Sequence, residues 1–233
     1  MTGAIVRGAG WVAPAADVDP ADQLQVRGLR PLSRASRLAC AAAARALDHP
    51  GPLPASSDRC AVVLGTRFAS VEPLVEFNHV ALSDGPALVN PSRFPNVVVN
   101  AHAGYLGILF RLAGPNVTLC GEGAGVDALA QALDLLELGR ADAVLAGGVD
   151  ASGPTLLEGL RRVGADQFPD AAAFVVLARE GVGPTLQRAE LDELAQAPPG
   201  AAVGVLPYVE RLAASGTPTA AARPPSQSLS APV

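Results

Sequence analysis

Three cysteines, three histidines and a carboxylate inside a glycine-rich turn are the side chains of this sequence best suited to chemistry. Cys40, Cys60 and Cys120 could act as thiolate nucleophiles, metal ligands or disulfide partners. Their number is odd and no two lie close in sequence, so neither a disulfide framework nor a zinc site is suggested. Each reads as a small buried hydrophobe. His49, His79 and His102 all fall in the first half of the chain. A lone histidine on an apolar run, as His102 is in AHAG (101–104), reads as a satisfied core or interface residue rather than a catalyst. Glu122 stands in GEGAG (121–125), between an apolar run and a helical pattern. A carboxylate there is favoured by the helix dipole by ~0.3–1 kcal/mol, which makes it a capping charge at the least.

What is missing narrows the chemistry further. All 17 basic residues are arginine, so lysine Schiff bases and a P-loop lysine are excluded. The formal net charge is −5 and no basic stripe exists, which argues against nucleic acid as a partner. With 49% hydrophobic and 17% charged residues over 233 positions, the chain can build one sizeable core. No run approaches the ~18 apolar residues that would span a bilayer. Residues 1–12 lack the pattern of a signal peptide. A cytoplasmic protein without a membrane span is expected.

The elements that position these residues follow from pattern. Ala4–Val6 reads as a short strand entering a glycine turn, and residues 13–31 as loop. Ser33–Leu47 reads as a helix with a serine N-cap, stopped by His49-Pro50. RCAVVLG (59–65) has the look of a buried parallel strand. Helices are expected over Ser70–Leu82 and Val97–Leu112, with the proline-bearing loop 83–96 between them. NVTLC (116–120), the turn 121–125, a helix over Val126–Leu138 and a strand over Asp142–Gly147 form a βαβ unit with short connections. Ala171–Ala178 is a further strand. Helices over Gln187–Ala197 and Val203–Ala213 are weaker, and Ser215–Val233 reads as a disordered tail.

Several phrases occur in one order: RCAVVLGT (59–66), NPSRFPN (90–96), AHAG (101–104), GPNVTLCGEGAGVDALAQALDLLELGRADAVLAGGVDA (114–151) and DAAAFVVLARE (170–180). Together they resemble the N-terminal half of a β-ketoacyl synthase of the thiolase-like superfamily. The resemblance covers roughly Ala4 to Glu180. It implies an α/β fold, one half of the αβαβα ketosynthase architecture, with a mixed sheet and a buried central helix. The implied organisation is a ketosynthase N-terminal-like domain over 1–180, a C-terminal extension over 181–214 and a disordered tail over 215–233. Asp127 and Asp150 then belong to the framework.

In that family a cysteine at the strand-to-helix turn is the nucleophile, its thiol activated at a helix N-terminus. Laid on this pattern, Glu122 takes the nucleophile position. Counted from Gly114-Pro115, the turn is one residue shorter than in the family. Cys120, two residues upstream, is the rival, either as a shifted nucleophile or as an inert strand cysteine. No phrase after residue 180 resembles the family's histidine-bearing motifs, and its lysine cannot be supplied. The resemblance therefore implies no catalytic residues for condensation and no bound cofactor. An acyl-carrier-protein phosphopantetheine thioester would be handled through a partner.

The implied role is that of a chain-length-factor-like subunit, similar to short aryl-polyene-type ketosynthase-like proteins. It would form a heterodimer with a full-length β-ketoacyl synthase in fatty-acid, polyketide or aryl-polyene biosynthesis. Asn116, Val117, Thr118 and Leu119 would lie on the dimer strand. Leu129 and Leu133 would face water once the second half is absent, an apolar patch that residues 181–213 would cover in part and a partner would cover for the rest. Two other readings stay open: an acyl decarboxylase or acyltransferase using Glu122 or Cys120, and a scaffold that binds acyl carrier protein without chemistry.

Overall fold

The computed structural model describes residues 3–13, 32–48, 53, 55–164, 170–195 and 205–215. A six-stranded mixed sheet forms the centre, with strands β1 (Gly3–Val12), β2 (Cys60–Thr66), β3 (Asn116–Cys120), β4 (Ala143–Asp150), β5 (Ala171–Ala178) and β6 (Thr185–Gln187). Their order across the sheet is β3-β2-β4-β5-β1-β6. β2 runs parallel to both β3 and β4, while β5 is antiparallel to β4 and β1.

Residue alternation fills both faces of this sheet. Ala61, Val63, Val144, Ala146, Val175 and Leu177 point to one core, and Val62, Leu64, Leu145, Phe174 and Val176 to the other. Strands buried on both sides read as continuous apolar runs, which is how β2, β4 and β5 appear in the sequence. Helices α1 (Arg34–Leu47) and α3 (Ala101–Phe110) cover the second core. Helices α4 (Ala124–Glu137), α6 (Arg188–Ala195) and α7 (Leu206–Ala214) cover the first. Helices α2 (Val71–Ser83) and α5 (Pro154–Arg162) lie beyond the sheet.

Several expectations change here. The N-terminal strand runs on through Gly8 and Gly10 to Val12, with a bulge between Val6 and Gly8 in place of a turn. Gly10 is there for close approach: a Cβ on it would sit 2.5 Å from the Ala42 carbonyl of α1. α3 starts at Ala101 rather than Val97, because three consecutive valines are poor helix formers. The segment 83–96 contains two short 3-10 turns, Pro86–Leu88 and Pro91–Asn96. α5 and β6 are additional to the elements expected from the sequence. The loop expected over 13–31 and the tail expected over 215–233 lie, but for Ala13 and Ser215, outside the described residues.

The largest correction concerns α4. Leu129 is 0% exposed and Leu133 4%, so neither faces water or is open to a partner. They pack in a core that includes Leu191 and Leu194 of α6 and Val209 and Leu212 of α7. Arg188 of α6 also bonds Asp134 of α4 at 2.6 Å. The chain's own α6 covers the face for which a partner was expected, and α7 extends the same core over β1 and β5. The outward side of α4 is polar, with Asp127, Gln131, Asp134 and Glu137.

Candidate functional site

The C-terminal ends of β2, β3 and β4 converge on one group of loops, where ligands bind in open α/β sheets. β3 ends at Cys120, and Gly121 and Gly123 then take positive φ values of 148° and 79°. Such backbone favours glycine, so the chain turns in three residues and α4 starts at Ala124. The Gly121 N–H donates to the Thr66 carbonyl, tying the turn to the end of β2. Gly65 completes the fit, since a Cβ there would lie 2.0 Å from the Ala124 carbonyl oxygen. The helix N-terminus rests directly on the strand.

Glu122 sits at the tip of this turn, 59% exposed. Its carboxylate lies 3.8 Å from the Arg67 guanidinium, which also stacks over the Phe68 ring at 4.9 Å. An exposed pair of this kind contributes at most ~1 kcal/mol. The loop that carries Arg67 is held by Asp150, which is fully buried. Its Oδ1 accepts from Thr66 Oγ1, Arg67 N–H and Phe68 N–H at 2.9, 3.0 and 2.7 Å. The framework role expected for Asp150 has this geometric basis. Asp127 is exposed in the first turn of α4, where its charge suits the dipole.

The three cysteines divide. Cys40 and Cys60 are buried as expected, and burial pushes the Cys40 thiol up to about 12 and raises that of Cys60. Neither is a thiolate at neutral pH. Cys120 is exposed, contrary to the buried reading, because β3 is an edge strand. Val117, Thr118 and Leu119 are half-buried beside it and Asn116 is exposed. Asn116 Nδ2 donates to the Ala103 carbonyl, joining the edge to α3.

His102 is fully buried and lies between two serines, Ser36 of α1 and Ser70 just before α2. His79 is exposed on α2, and His49 lies outside the described residues. Sequence reasoning passed over both serines and Arg67, because only the tertiary fold brings them to their partners. Among the described residues no group of three or more His, Cys, Asp or Glu side chains could hold a metal ion. A cleft of about 780 Å³ opens between the start of α1, α2 and the start of α5. Across it Arg34 pairs with Asp170, and Glu72 accepts the Leu156 N–H at 2.9 Å, capping α5.

A doubly covered mixed sheet, with a strand–turn–helix unit crossing β2 between β3 and β4, defines a thiolase-like ketosynthase fold. The sequence profile of the β-ketoacyl synthase N-terminal domain matches residues 5–180, and the chain belongs to that family. It is 34% identical over 119 residues to a 3-oxoacyl-[acyl-carrier-protein] synthase 2 of Rhizobium meliloti, covering 48% of this chain and 28% of that protein. The corresponding synthase of Vibrio harveyi is 31% identical over 146 residues, 60% of this chain and 34% of that protein. The chain thus spans about a third or less of the curated relatives it matches. Two solved structures share the fold. The ishigamide ketosynthase/chain length factor has TM-score 0.65 and 21% identity, covering 77% of this chain and 63% of that one. A ketosynthase in complex with its chain length factor from Xenorhabdus doucetiae has TM-score 0.58 and 16% identity, covering 78% and 59%. No described helix is long and apolar enough to cross a membrane.

Proposed function

We propose that this chain is a chain-length-factor-like subunit that performs no condensation itself and pairs with a full-length β-ketoacyl synthase. The carrying observation is the turn 121–123, which presents a carboxylate at the helix N-terminus where the family resemblance places a thiolate. A carboxylate is a far weaker acyl acceptor than a thiolate. The described histidines do not compensate, since His79 is exposed on α2 and His102 is engaged by two serines. The acyl-carrier-protein thioester would be handled by the partner's cysteine.

Support for a partner comes from β3 rather than from α4. An exposed edge strand offers unpaired N–H and C=O groups to another chain. Asn116, Val117, Thr118 and Leu119 form that edge. α3 packs beside it, and apolar side chains on α2, the 3-10 turns and α3, including Leu82, Leu88, Phe94 and Ile108, are more than half exposed. An interface of ~2,000 Å² or more would be expected for an obligate pair. Co-expression with a candidate ketosynthase tests the reading. A stoichiometric complex should form, and the chain alone should yield no β-ketoacyl product from acyl and malonyl carrier proteins. A product that disappears in Cys120→Ala would overturn it in favour of an enzymatic role for this chain.

A further inference from the structure

Helix α3 contains no acidic or basic side chain except the buried His102. A helix apolar all round is ordinarily buried all round, yet only His102, Ala103 and Leu106 are buried here. Its outward stripe runs through Gly104 and Ile108, at i and i+4, and continues to Arg111 at i+7. Ile108 is 79% exposed. A Cβ on Gly104 would meet nothing within 4 Å, so no contact inside the chain calls for a residue that weakens a helix interior. Gly107 differs, since a Cβ there would lie 3.2 Å from both Asn116 Nδ2 and the Leu112 carbonyl oxygen.

Arg111 closes the stripe at the helix C-cap, with φ 56° and ψ 42°. Among the described residues it is the only one other than glycine at positive φ, and that region penalises any residue bearing a Cβ. Its side chain is exposed, and among the described residues it makes no hydrogen bond or ion pair. Three features that folding of the chain does not explain thus share one stripe: an open helix-interior glycine, an exposed isoleucine and a strained arginine with its guanidinium uncommitted. Backbone strain kept where the fold does not require it points to function.

The stripe borders the edge strand. Asn116, at the head of β3, donates from Nδ2 to the Ala103 carbonyl of α3 at 2.9 Å, so a chain of this fold that extends the sheet from β3 brings its own covering helix alongside α3. Helix axes pack ~8–10 Å apart, the closer spacing requiring small side chains at the contact, and Gly104 supplies one. We infer that Gly104, Ile108 and Arg111 form a helix-docking surface for the partner ketosynthase. A partner helix packs closest at Gly104, covers Ile108 with an apolar side chain and places a carboxylate against the Arg111 guanidinium. The inference rests on the pairing proposed above and adds which residues of α3 grip the partner and what chemistry must face them.

The test measures the affinity of the full chain for the co-expressed ketosynthase by biolayer interferometry, with thermal unfolding of each variant alone. Gly104→Leu extends a side chain into open space, so it should melt no lower than wild type yet weaken the complex ~100-fold or more. Arg111→Gly relieves the left-handed backbone; it too should keep its Tm while binding ~10-fold more weakly. Arg111→Glu should bind more weakly still, because like charges then meet. Ile108→Ser, at an exposed position, stands in for any variant that melts lower, with a loss of ~10-fold. Wild-type affinity in both Gly104→Leu and Arg111→Gly overturns the docking surface and leaves the pairing intact. Arg111→Glu binding as tightly as Arg111→Gly overturns the carboxylate. A wild-type chain that binds no ketosynthase overturns the pairing and this inference with it. Self-association of the chain alone that Gly104→Leu abolishes also overturns it, since the occupant would then be a second copy.

Discussion

Gly65→Ala probes the contact that seats α4 on the sheet. The added Cβ would stand 2.0 Å from the Ala124 carbonyl oxygen, 2.2 Å from its carbon and 2.5 Å from the Gly125 nitrogen. All three are backbone atoms, so no rotamer change relieves the clash. The helix N-terminus must retreat by more than about 1 Å, loosening the tie from Gly121 to Thr66. Overpacking of a close-packed interior costs ~1–3 kcal/mol, and a rigid backbone neighbour places this case near ~3 kcal/mol. At ~2–4 °C per kcal/mol for a domain of this size, Tm should fall by ~6–12 °C. Gly159→Ala is the counterpart: Gly159 is exposed within α5 and a Cβ meets nothing within 4 Å. Removing a helix-interior glycine there should add ~0.5–1 kcal/mol. Thermal unfolding followed by circular dichroism reads both. A Gly65→Ala protein melting within 2 °C of wild type, against the ~6 °C minimum just derived, would refute the packing argument.

Other outcomes follow from the same contacts. Leu129→Ala, at a fully buried position, should cost ~2–5 kcal/mol in urea unfolding, whereas Glu122→Gln, exposed and 3.8 Å from Arg67, should change stability by less than ~1 kcal/mol. Val117→Asp on the half-buried edge strand should abolish co-purification with a ketosynthase, because a charge buried without a partner costs several kcal/mol. Acid should destabilise the chain as well. His102 titrates near 6.5 when unfolded and is held down to about 4 in the fold, so between those values the unfolded state binds the extra proton. Stability present above pH 6.5 should therefore fall by roughly 3 kcal/mol towards pH 4, a slope that His102→Gln should flatten in urea titrations at stepped pH.

How much of this was legible in the sequence depended on where each signal sits. β3, the turn and α4 were readable because strand, glycine turn and amphipathic helix are consecutive and each signal is local. The cover over α4 was not, because Leu191 and Leu194 lie on the short helix α6, far downstream of the strand–turn–helix unit. Nothing in a sequence says which distant face such a helix will seal. Gly10 misled for a related reason: glycine as a turn former and glycine as the space for a crossing helix look alike until the helix is placed. The serines flanking His102 come from positions 36 and 70. Their role rests on three elements meeting, which no local pattern encodes.

The place of β1 in the sheet carries a consequence for synthesis. Its ladder partners in β5 all lie 160 or more residues downstream, from Val12 with Ala172 to Ile5 with Ala178. On the ribosome the first strand therefore waits for the last third of the domain. At ~5–20 residues per second that interval is roughly 10–30 s. The parallel trio β3-β2-β4 can assemble before it, since those strands and α4 emerge together. During that time the apolar strand Gly3–Val12 has no ladder to join, which makes it the segment most exposed to chaperone capture or to pairing with a neighbouring nascent chain.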